Sequence, residues 1–206
     1  MEEYLKAISD TNSLILKGRI DSAEVNSFAQ ADRRWANHRG NRKGNFSPVK
    51  KGEIYQFEFG KNYIPEMSYE HRGMVIGIRR KLLYVLPVFS FLTKYQNNLF
   101  HPTANPQGDL FFLKQSDYSF LRRDSVMKLN DIRTVSVERI LYFQNGRIDV
   151  ESETYKTIVK LVFEKYFFDF SYELRQLRQE NETLKKRIEG LTARMEHLNR
   201  EEGKSS

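Results

Sequence analysis

The sequence predicts an α+β protein, in which short strands form a small barrel or sandwich between helical ends. Three observations support this fold class. Residues 1 to about 38 carry apolar side chains at helical spacing, residues 49 to about 145 form short apolar runs broken by Gly, Pro and Asn, and residues 174–198 repeat every seven positions. The period of the apolar pattern therefore changes along the chain, and each change marks a boundary.

The first segment, residues 1–38, is predicted to be a helical extension made of two helices. Leu5, Ile8 and Ile15 mark one apolar face. After the break at "KGRIDS", a second apolar stripe consists of Val25, Phe28, Ala29 and Trp35. Each stripe gives its helix one face that favours burial.

The stretch from Arg33 to Lys51 carries the whole excess of positive charge. It holds seven Lys and Arg residues and no Asp or Glu, and the 27 other basic residues equal the 27 acidic ones in number. Within it, residues 39–48 are predicted to be a basic linker that ends at Pro48. Concentrated positive charge suits a polyphosphate partner, because each neutralised phosphate releases counterions; a solvated linker is the equal alternative.

The middle zone, residues 49 to about 145, is predicted to be a set of short strands. "GEIYQFEF" alternates apolar and polar side chains imperfectly, "GMVIGI" and "LLYVLPVFSF" are continuous apolar runs, and "NPQGD" marks a turn. Several short strands with few helices among them favour a barrel or a sandwich.

The composition excludes several kinds of site. The chain of 206 residues has no cysteine, which excludes disulfides, thiolate zinc sites and a cysteine nucleophile. No metal-ligand spacing or nucleotide-binding glycine loop occurs, so no metal or cofactor is expected. The start "MEEYLKAISD" lacks the order of a signal peptide, and the apolar run 82–92 is too short for a bilayer. We therefore expect a cytoplasmic protein with no membrane partner.

The C-terminal zone is predicted to be helical and then to become a coiled coil. "ESETYKTIVKLVFEKYFFDF" has one broad apolar face, and beyond it the apolar period becomes seven. The a positions are Leu174, Asn181, Ile188 and Met195, and the d positions are Leu177, Leu184, Leu191 and Leu198. A single polar residue at an a position typically specifies a parallel dimer.

Charges beside the apolar seam agree with pairing between two copies. Glu173 at a g position would face Arg178 at an e position of a partner helix, and Glu180 would face Lys185. We therefore expect a homodimer through Leu177, Asn181, Leu184, Ile188 and Leu191. Pairing with a different protein is the main alternative.

Four blocks of the sequence resemble the MazF/PemK toxin family. They are "VKKGEIYQFEFG" (49–60), "HRGMVIGI" (71–78), "VLPVFS" (85–90) and "RRDSVMKLNDIRTVSVERI" (122–140), and "TIVKLVFEKYF" is similar to the closing helix of that family. "DSVMKLNDIRTV" is the most specific part. The resemblance covers about residues 49–170, which would form the barrel domain, and leaves residues 171–206 as the coiled coil and a disordered tail.

The resemblance implies a homodimeric, SH3-like small β-barrel that cuts single-stranded RNA at short sequences without a metal. It also implies a cognate antitoxin as a protein partner. In that chemistry a ribose 2′-hydroxyl attacks the neighbouring phosphorus and leaves a cyclic phosphate and a 5′-hydroxyl. Such a reaction needs proton transfer and cationic donors for the extra charge on phosphorus.

By position, the resemblance assigns candidate site residues. Arg72 matches the active-site arginine of the family, and His71 beside it is a candidate general acid or base because histidine titrates near neutrality. The predicted RNA-binding residues are Arg122, Arg123, Asp124, Ser125, Asp131, Arg133 and Thr134. Four of these residues also have an alternative interpretation: His71 as an exposed loop residue, Asp124 and Ser125 as a turn, and Arg133 in a structural salt bridge.

The chain departs from the family pattern at three places. The proline after the arginine is Gly73 here, which would free the loop, and the glutamine before the "IRT" triplet is Asp131. The family's strand-end threonine aligns with Phe89, or with the catalytic candidate Ser90 if the alignment shifts by one. These two positions differ physically, because consecutive strand residues point to opposite faces.

Three functions follow as hypotheses. The first is a sequence-specific, metal-independent endoribonuclease toxin. The second is a catalytically weak or inactive MazF-like module that binds nucleic acid or protein and is dimerised by the coiled coil. The third, inhibition of a protein target such as gyrase, depends on fold analogy alone.

Overall fold

The computed structural model describes residues 1–40 and 48–202, and the side chains of residues 1–37 and 48–195. The described chain divides into two compact units, Met1–Val159 and Lys160–Ser206. Most of the predicted basic linker lies outside the described residues, including Arg42 and Lys43, as does the side chain of Arg39.

The N-terminal segment forms two helices, α1 (Glu2–Leu16) and α2 (Ser22–Gly40). Gly18 ends the first, with a positive φ of 64° that glycine adopts without a steric penalty. Asp21 caps the second, because its carboxylate accepts a hydrogen bond from the backbone N–H of Glu24 at 2.8 Å. Helix α1 has no buried residue, so its apolar stripe stays exposed within the described chain.

The middle of the chain forms one antiparallel sheet. Its strands are β1 (Glu53–Glu58), β2 (Glu70–Arg79), β3 (Leu82–Ser90), β4 (Leu110–Leu113), β5 (Ser125–Lys128), β6 (Arg133–Ser136) and β7 (Ile140–Arg147). Three 3-10 helices, Thr93–Asn98, Gln115–Asp117 and Val137–Arg139, lie between strands. The α+β class is confirmed.

The sheet is open within the described residues, so the SH3-like barrel that the resemblance implies is not confirmed. Its strand order is β4-β5-β3-β2-β1-β7, with β6 paired to the other end of β3. Strands β4 and β7 form the two ends of this order and are not paired with each other in the described sheet. The long strand β3 is the centre, because it pairs with β2 on one edge and with both β5 and β6 on the other.

The sheet has two faces with different side chains. One face, here called the Phe57 face, carries a buried cluster that consists of Tyr55, Phe57, Phe59, Val75, Leu83, Val85, Val135 and Ile140. The opposite face, here called the Met74 face, begins with a buried row of Ile54, Met74 and Leu86 on three adjacent strands. Alternation along each strand assigns every other strand residue to one of these faces.

Two helices end the described chain. Helix α3 (Glu153–Tyr166) runs across the boundary between the units, and in the first unit the Tyr155 hydroxyl donates to the Ile76 carbonyl at 3.1 Å. Helix α4 (Phe168–Glu202) belongs to the second unit. In that unit the ring of Phe163 lies 5.3 Å from that of Phe167 and 5.9 Å from that of Phe170. No helix among the described residues is long and apolar enough to cross a membrane.

The heptad positions lie on the exposed surface of α4 in the single chain. The exposed fractions are 53% for Leu177, 50% for Leu184, 62% for Ile188 and 54% for Leu191. A row of half-exposed leucines is what one helix of a coiled coil shows without its partner. The coiled coil therefore stays a prediction. Leu198 lies outside the described side chains.

Candidate functional site

Arg72 lies in the middle of the sheet, on the Met74 face. It is opposite Gln56 of β1 and Val88 of β3, two residues before Met74 on β2. Its side chain is half-buried, and its Nη2 donates a long hydrogen bond of 3.4 Å to the Ser125 hydroxyl. The strand pairing therefore fixes the backbone of Arg72, and the hydrogen bond to Ser125 orients its guanidinium toward the N-terminal end of β5.

Ser90 and Ser125 lie next to this arginine. They are directly opposite each other on β3 and β5, and both share the face of Arg72 because Val88 is two residues before Ser90. Ser125 is fully buried, and its hydroxyl donates to the Arg123 carbonyl at 3.0 Å. The half-buried Ser90 hydroxyl makes no hydrogen bond within the described part of the chain. The Ser90 hydroxyl is therefore not used by any other residue that the structure describes.

The structure distinguishes Ser90 from Phe89, the two positions that the sequence alignment left open. Phe89 is on the Phe57 face, and its ring lies 5.3 Å from the Tyr95 ring in an edge-on contact. Ser90 is on the face of Arg72. Only Ser90 can therefore share a site with Arg72.

Three arginines come together at this end of β5, and we call Arg72, Arg122 and Arg123 the arginine cluster. The pKa of Arg72 is lowered, first by burial and then by the positive charges of Arg123 and Arg122. None of the three makes an ion pair with a carboxylate of the described residues. The three positive charges repel one another, and no carboxylate of the described residues compensates them. The arginine cluster therefore favours the binding of a phosphate group.

Asp124, between these arginines and Ser125, has a structural contact. Its Oδ1 accepts a hydrogen bond from the backbone N–H of Gln115 at 2.8 Å, and its carbonyl accepts one from the N–H of Phe91 at 2.9 Å. The carboxylate thus turns toward the loop backbone. This contact orders the segment that carries Arg122 and Arg123.

His71 does not share a face with Arg72. It is opposite the buried Phe57, on the Phe57 face. Its pKa is lowered, first by burial and then by the charge of Arg72, with a partial offset from Glu70 and Glu58. The structure therefore separates His71 from Ser90 and the arginine cluster by the thickness of the sheet, and the predicted pairing of His71 with Arg72 in one site is not observed.

Asp131 and Arg133 form a buried ion pair on the Phe57 face. The Asp131 Oδ1 lies 2.6 Å from the Arg133 Nε, and its Oδ2 accepts from the Met67 N–H at 2.9 Å and lies 3.3 Å from the Lys128 Nζ. These contacts attach the loop between β1 and β2 to the sheet. For Arg133, the structure shows the salt bridge that the sequence left as an alternative to RNA contact.

Thr134 is exposed but lies far from the arginine cluster. It is opposite Tyr84, six residues before Ser90 on β3. At about 3.3 Å per residue, this corresponds to a separation of roughly 20 Å along the strand. The structure therefore does not bring Thr134 to the candidate site.

Gly73 has a packing role and lies inside a strand, not in a loop. A Cβ at this position would lie 2.3 Å from Cγ1 of Val85 and 3.1 Å from Cδ2 of Phe57. The glycine therefore allows close packing beside Arg72. The expectation that it loosens a loop was wrong.

A second group of charged residues lies on the same face as Arg72, two residues away along the strands. This group was not identified from the sequence. Glu58 of β1 and Glu70 of β2 are directly opposite each other, two residues from Gln56 and Arg72 respectively. Arg34 of α2 binds both carboxylates, with its Nη1 2.8 Å from Glu58 and its Nη2 2.5 Å from Glu70. No local pattern connects residue 34 with residues 58 and 70, although their charges are visible in the sequence.

The described residues contain no group of three or more His, Asp or Glu side chains placed to hold a metal ion. No protein-family model matches the chain, and no curated protein matches it. Among solved structures, one match is a chain of a complex described as an endoribonuclease with its cognate antitoxin from a mycobacterial species. The TM-score is 0.38 at 9% identity, and the match covers 57% of this chain and 95% of that chain. A similarity of this size does not assign an activity to this chain.

Proposed function

We propose that the arginine cluster binds the phosphate backbone of single-stranded RNA and that the protein is an endoribonuclease toxin of the MazF/PemK kind. One observation carries the proposal. Arg72 reaches Ser125, the residue directly opposite Ser90, and its charge acts together with those of Arg122 and Arg123, while none of the three has a carboxylate partner among the described residues. An arginine presents two parallel donors to a phosphate, and this geometry suits a backbone contact.

The residues of this face suggest how cleavage would proceed. The ribose 2′-oxygen attacks the adjacent phosphorus, the bond to the 5′-oxygen of the next nucleotide breaks, and a cyclic phosphate and a 5′-hydroxyl form. Arg72 would stabilise the additional negative charge on the phosphoryl oxygens in the transition state. The Ser90 hydroxyl would hold a phosphoryl oxygen in position, since no other described group uses it.

Proton transfer is the step that this face supports least. His71, the only histidine near Arg72 in sequence, lies on the opposite face, where burial also lowers its pKa. The 2′-proton would therefore pass to water, and water would supply the proton that the leaving 5′-oxygen takes up. We expect slow cleavage, because a positioned general base typically contributes on the order of 10²- to 10⁴-fold.

The same observation favours a second candidate function, a binding module without catalytic activity. A cationic surface with a free hydroxyl but no titrating group can hold RNA without cutting it. In that case affinity would depend on the arginine cluster. Pairing of two copies through α4 would increase it by bringing two such surfaces together.

The protein partners belong to the same proposal. We propose a homodimer through the leucines of α4, since Glu173 and Glu180 of one copy would face Arg178 and Lys185 of the other. We also propose a cognate antitoxin, which a ribonuclease toxin needs as its inhibitor.

A cleavage assay with mapped RNA ends separates the two candidates. The purified full chain is incubated with a long single-stranded RNA in EDTA beside the variants Arg72→Ala and Arg79→Ala. Arg79 is a matched control, because it is exposed on the same strand, roughly 20 Å from Arg72. Discrete cuts with cyclic-phosphate ends that Arg72→Ala alone removes would support the nuclease. RNA that is retained in a gel shift without cuts would favour the binding module.

A further inference from the structure

Helix α2 is attached to the sheet beside the candidate site. Arg34 binds the carboxylates of Glu58 and Glu70 at 2.8 and 2.5 Å, and the Glu58 side chain is only 10% exposed. This arrangement, which we call the Arg34 clasp, lies two residue pairs beyond the Gln56–Arg72 pair on the same two strands. Glu70 and Arg72 are two residues apart, so both are on the Met74 face.

Further contacts hold α2 at this end of the sheet. The Tyr69 hydroxyl donates to Glu24 at 3.2 Å. Lys61 lies 2.9 Å from the Asp32 carboxylate and 3.2 Å from the centre of the Phe28 ring. Ala31 of the same helix is buried. Helix α1, by contrast, has no buried residue, so the attachment is specific to α2.

The two glutamates would oppose phosphate binding if they were alone. Like charges directly opposite each other on adjacent strands destabilise a sheet, and here the pair is within about 7 Å of the Arg72 backbone along β2. Because they share the face of Arg72, their negative charges would repel a phosphate group that approaches this face. Arg34 places a permanent positive charge between them.

We propose that Arg34 is a positioning residue for phosphate binding, which acts by neutralising Glu58 and Glu70. The Arg34 clasp neutralises the Glu58–Glu70 pair and so preserves the positive potential around Arg72. This inference depends on the proposed RNA-binding function and specifies which part of the N-terminal extension that function requires. It assigns a local electrostatic role to one cation of the basic stretch.

A role of α2 as an inhibitory cover leads to the opposite expectation. If α2 blocked the approach of RNA, loss of the clasp would free the surface and strengthen binding. If the proposal holds, loss of the clasp leaves two uncompensated carboxylates beside Arg72 and weakens binding. The sign of the change in affinity therefore distinguishes the two roles.

The test measures the affinity of the full chain for a fluorescent single-stranded RNA at low salt. Arg34→Ala is compared with Arg33→Ala, a matched control because Arg33 is exposed and removal of either residue changes the net charge equally. We expect Arg34→Ala to weaken binding roughly three- to tenfold and Arg33→Ala to change it less than about twofold. In the Arg34→Ala background, Glu58→Gln with Glu70→Gln should restore the affinity.

Each outcome decides the inference. Unchanged or tighter binding by Arg34→Ala overturns it, and so does weaker binding that the two Gln substitutions fail to restore, because Arg34 would then act by direct contact or through folding. Arg72→Ala is measured in parallel. If the unmodified chain binds no RNA, or Arg72→Ala binds equally well, the RNA-binding function itself fails. Loss of affinity in Arg72→Ala with full affinity in Arg34→Ala overturns the inference alone.

Discussion

Ser90 lies directly opposite Ser125 across the pair of β3 and β5, and the two hydroxyls have different surroundings. The Ser125 hydroxyl is buried and bonded to Arg72 and to the Arg123 carbonyl. The Ser90 hydroxyl is half-buried and has no hydrogen bond within the described residues. One serine therefore orders the arginine cluster, and the other remains available to a ligand.

Substitution of Ser90 by Ala is expected to slow cleavage without unfolding the protein. The lost hydroxyl would hold a phosphoryl oxygen, so we expect the rate to fall roughly 10- to 100-fold while RNA affinity changes little. Initial rates and RNA anisotropy measure the two effects. Phe89→Leu is the control, because its side chain lies on the opposite face. An unchanged rate in Ser90→Ala would remove Ser90 from the site.

Substitution of Asp131 by Ala is expected to destabilise the fold. It removes the partner of the buried Arg133 and the acceptor for the Met67 N–H. Loss of one partner of a buried ion pair costs about 3–5 kcal/mol, and urea unfolding at neutral pH measures it. The exposed Asp10 of α1 provides the control variant Asp10→Ala. If Asp131→Ala were as stable as the unmodified chain but bound RNA weakly, Asp131 would be an RNA ligand instead.

The stability of the fold is expected to decrease in acid through His71. The pKa of His71 in the folded protein lies below its ordinary value of 6.5, chiefly through burial and then through Arg72. As the pH falls, the unfolded chain therefore takes up this proton first. The contribution of His71 to stability is complete above pH 6.5 and is lost as the pH falls through the lower folded pKa.

Urea unfolding between pH 8 and pH 5 tests this, with His71→Gln as the variant that cannot titrate at this position. The difference in unfolding free energy between the two proteins should shift in favour of the variant as the pH falls. A difference that stays constant over this range would contradict the lowered pKa, as would an NMR titration of His71 at or above 6.5.

Self-association is expected to depend on the leucines of α4. The d residues Leu177 and Leu184 are about half exposed in the single chain, so we expect Leu177→Ser with Leu184→Ser to convert a dimer to a monomer. Sedimentation of the full chain measures this. Gln179→Ala, at an f position away from the seam, is the control. A chain that is monomeric without substitutions, or dimeric with both, would contradict the coiled coil.

Much of the local structure could be predicted from the sequence because it depends on neighbouring residues. The two N-terminal helices follow from the stripes around Ile8 and Phe28 and the break at Gly18. The separation of Phe89 from Ser90 follows from strand alternation. The same rule separates His71 from Arg72. Once β2 is known to begin at Glu70, strand alternation alone excludes His71 from the face of Arg72.

The remaining features depend on contacts between distant parts of the chain. An open sheet and a closed barrel have the same strand pattern, since they differ only in whether the end strands β4 and β7 pair. The Arg34 clasp joins residues 24 and 36 positions apart. The burial of Asp131 follows from its contact with Met67 in a distant loop. None of these pairings has a periodic signal.

The salt dependence of RNA binding tests most directly whether RNA binds at the arginine cluster, because counterion release counts the phosphates that the cluster neutralises. Affinity for a single-stranded RNA is measured between low and moderate salt for the full chain and for Arg72→Ala combined with Arg122→Ala and Arg123→Ala. Each lost phosphate contact reduces the slope of log affinity against log salt by about 0.7. We predict a slope smaller by about 2 in the triple variant. An unchanged slope would show that RNA does not bind at the arginine cluster.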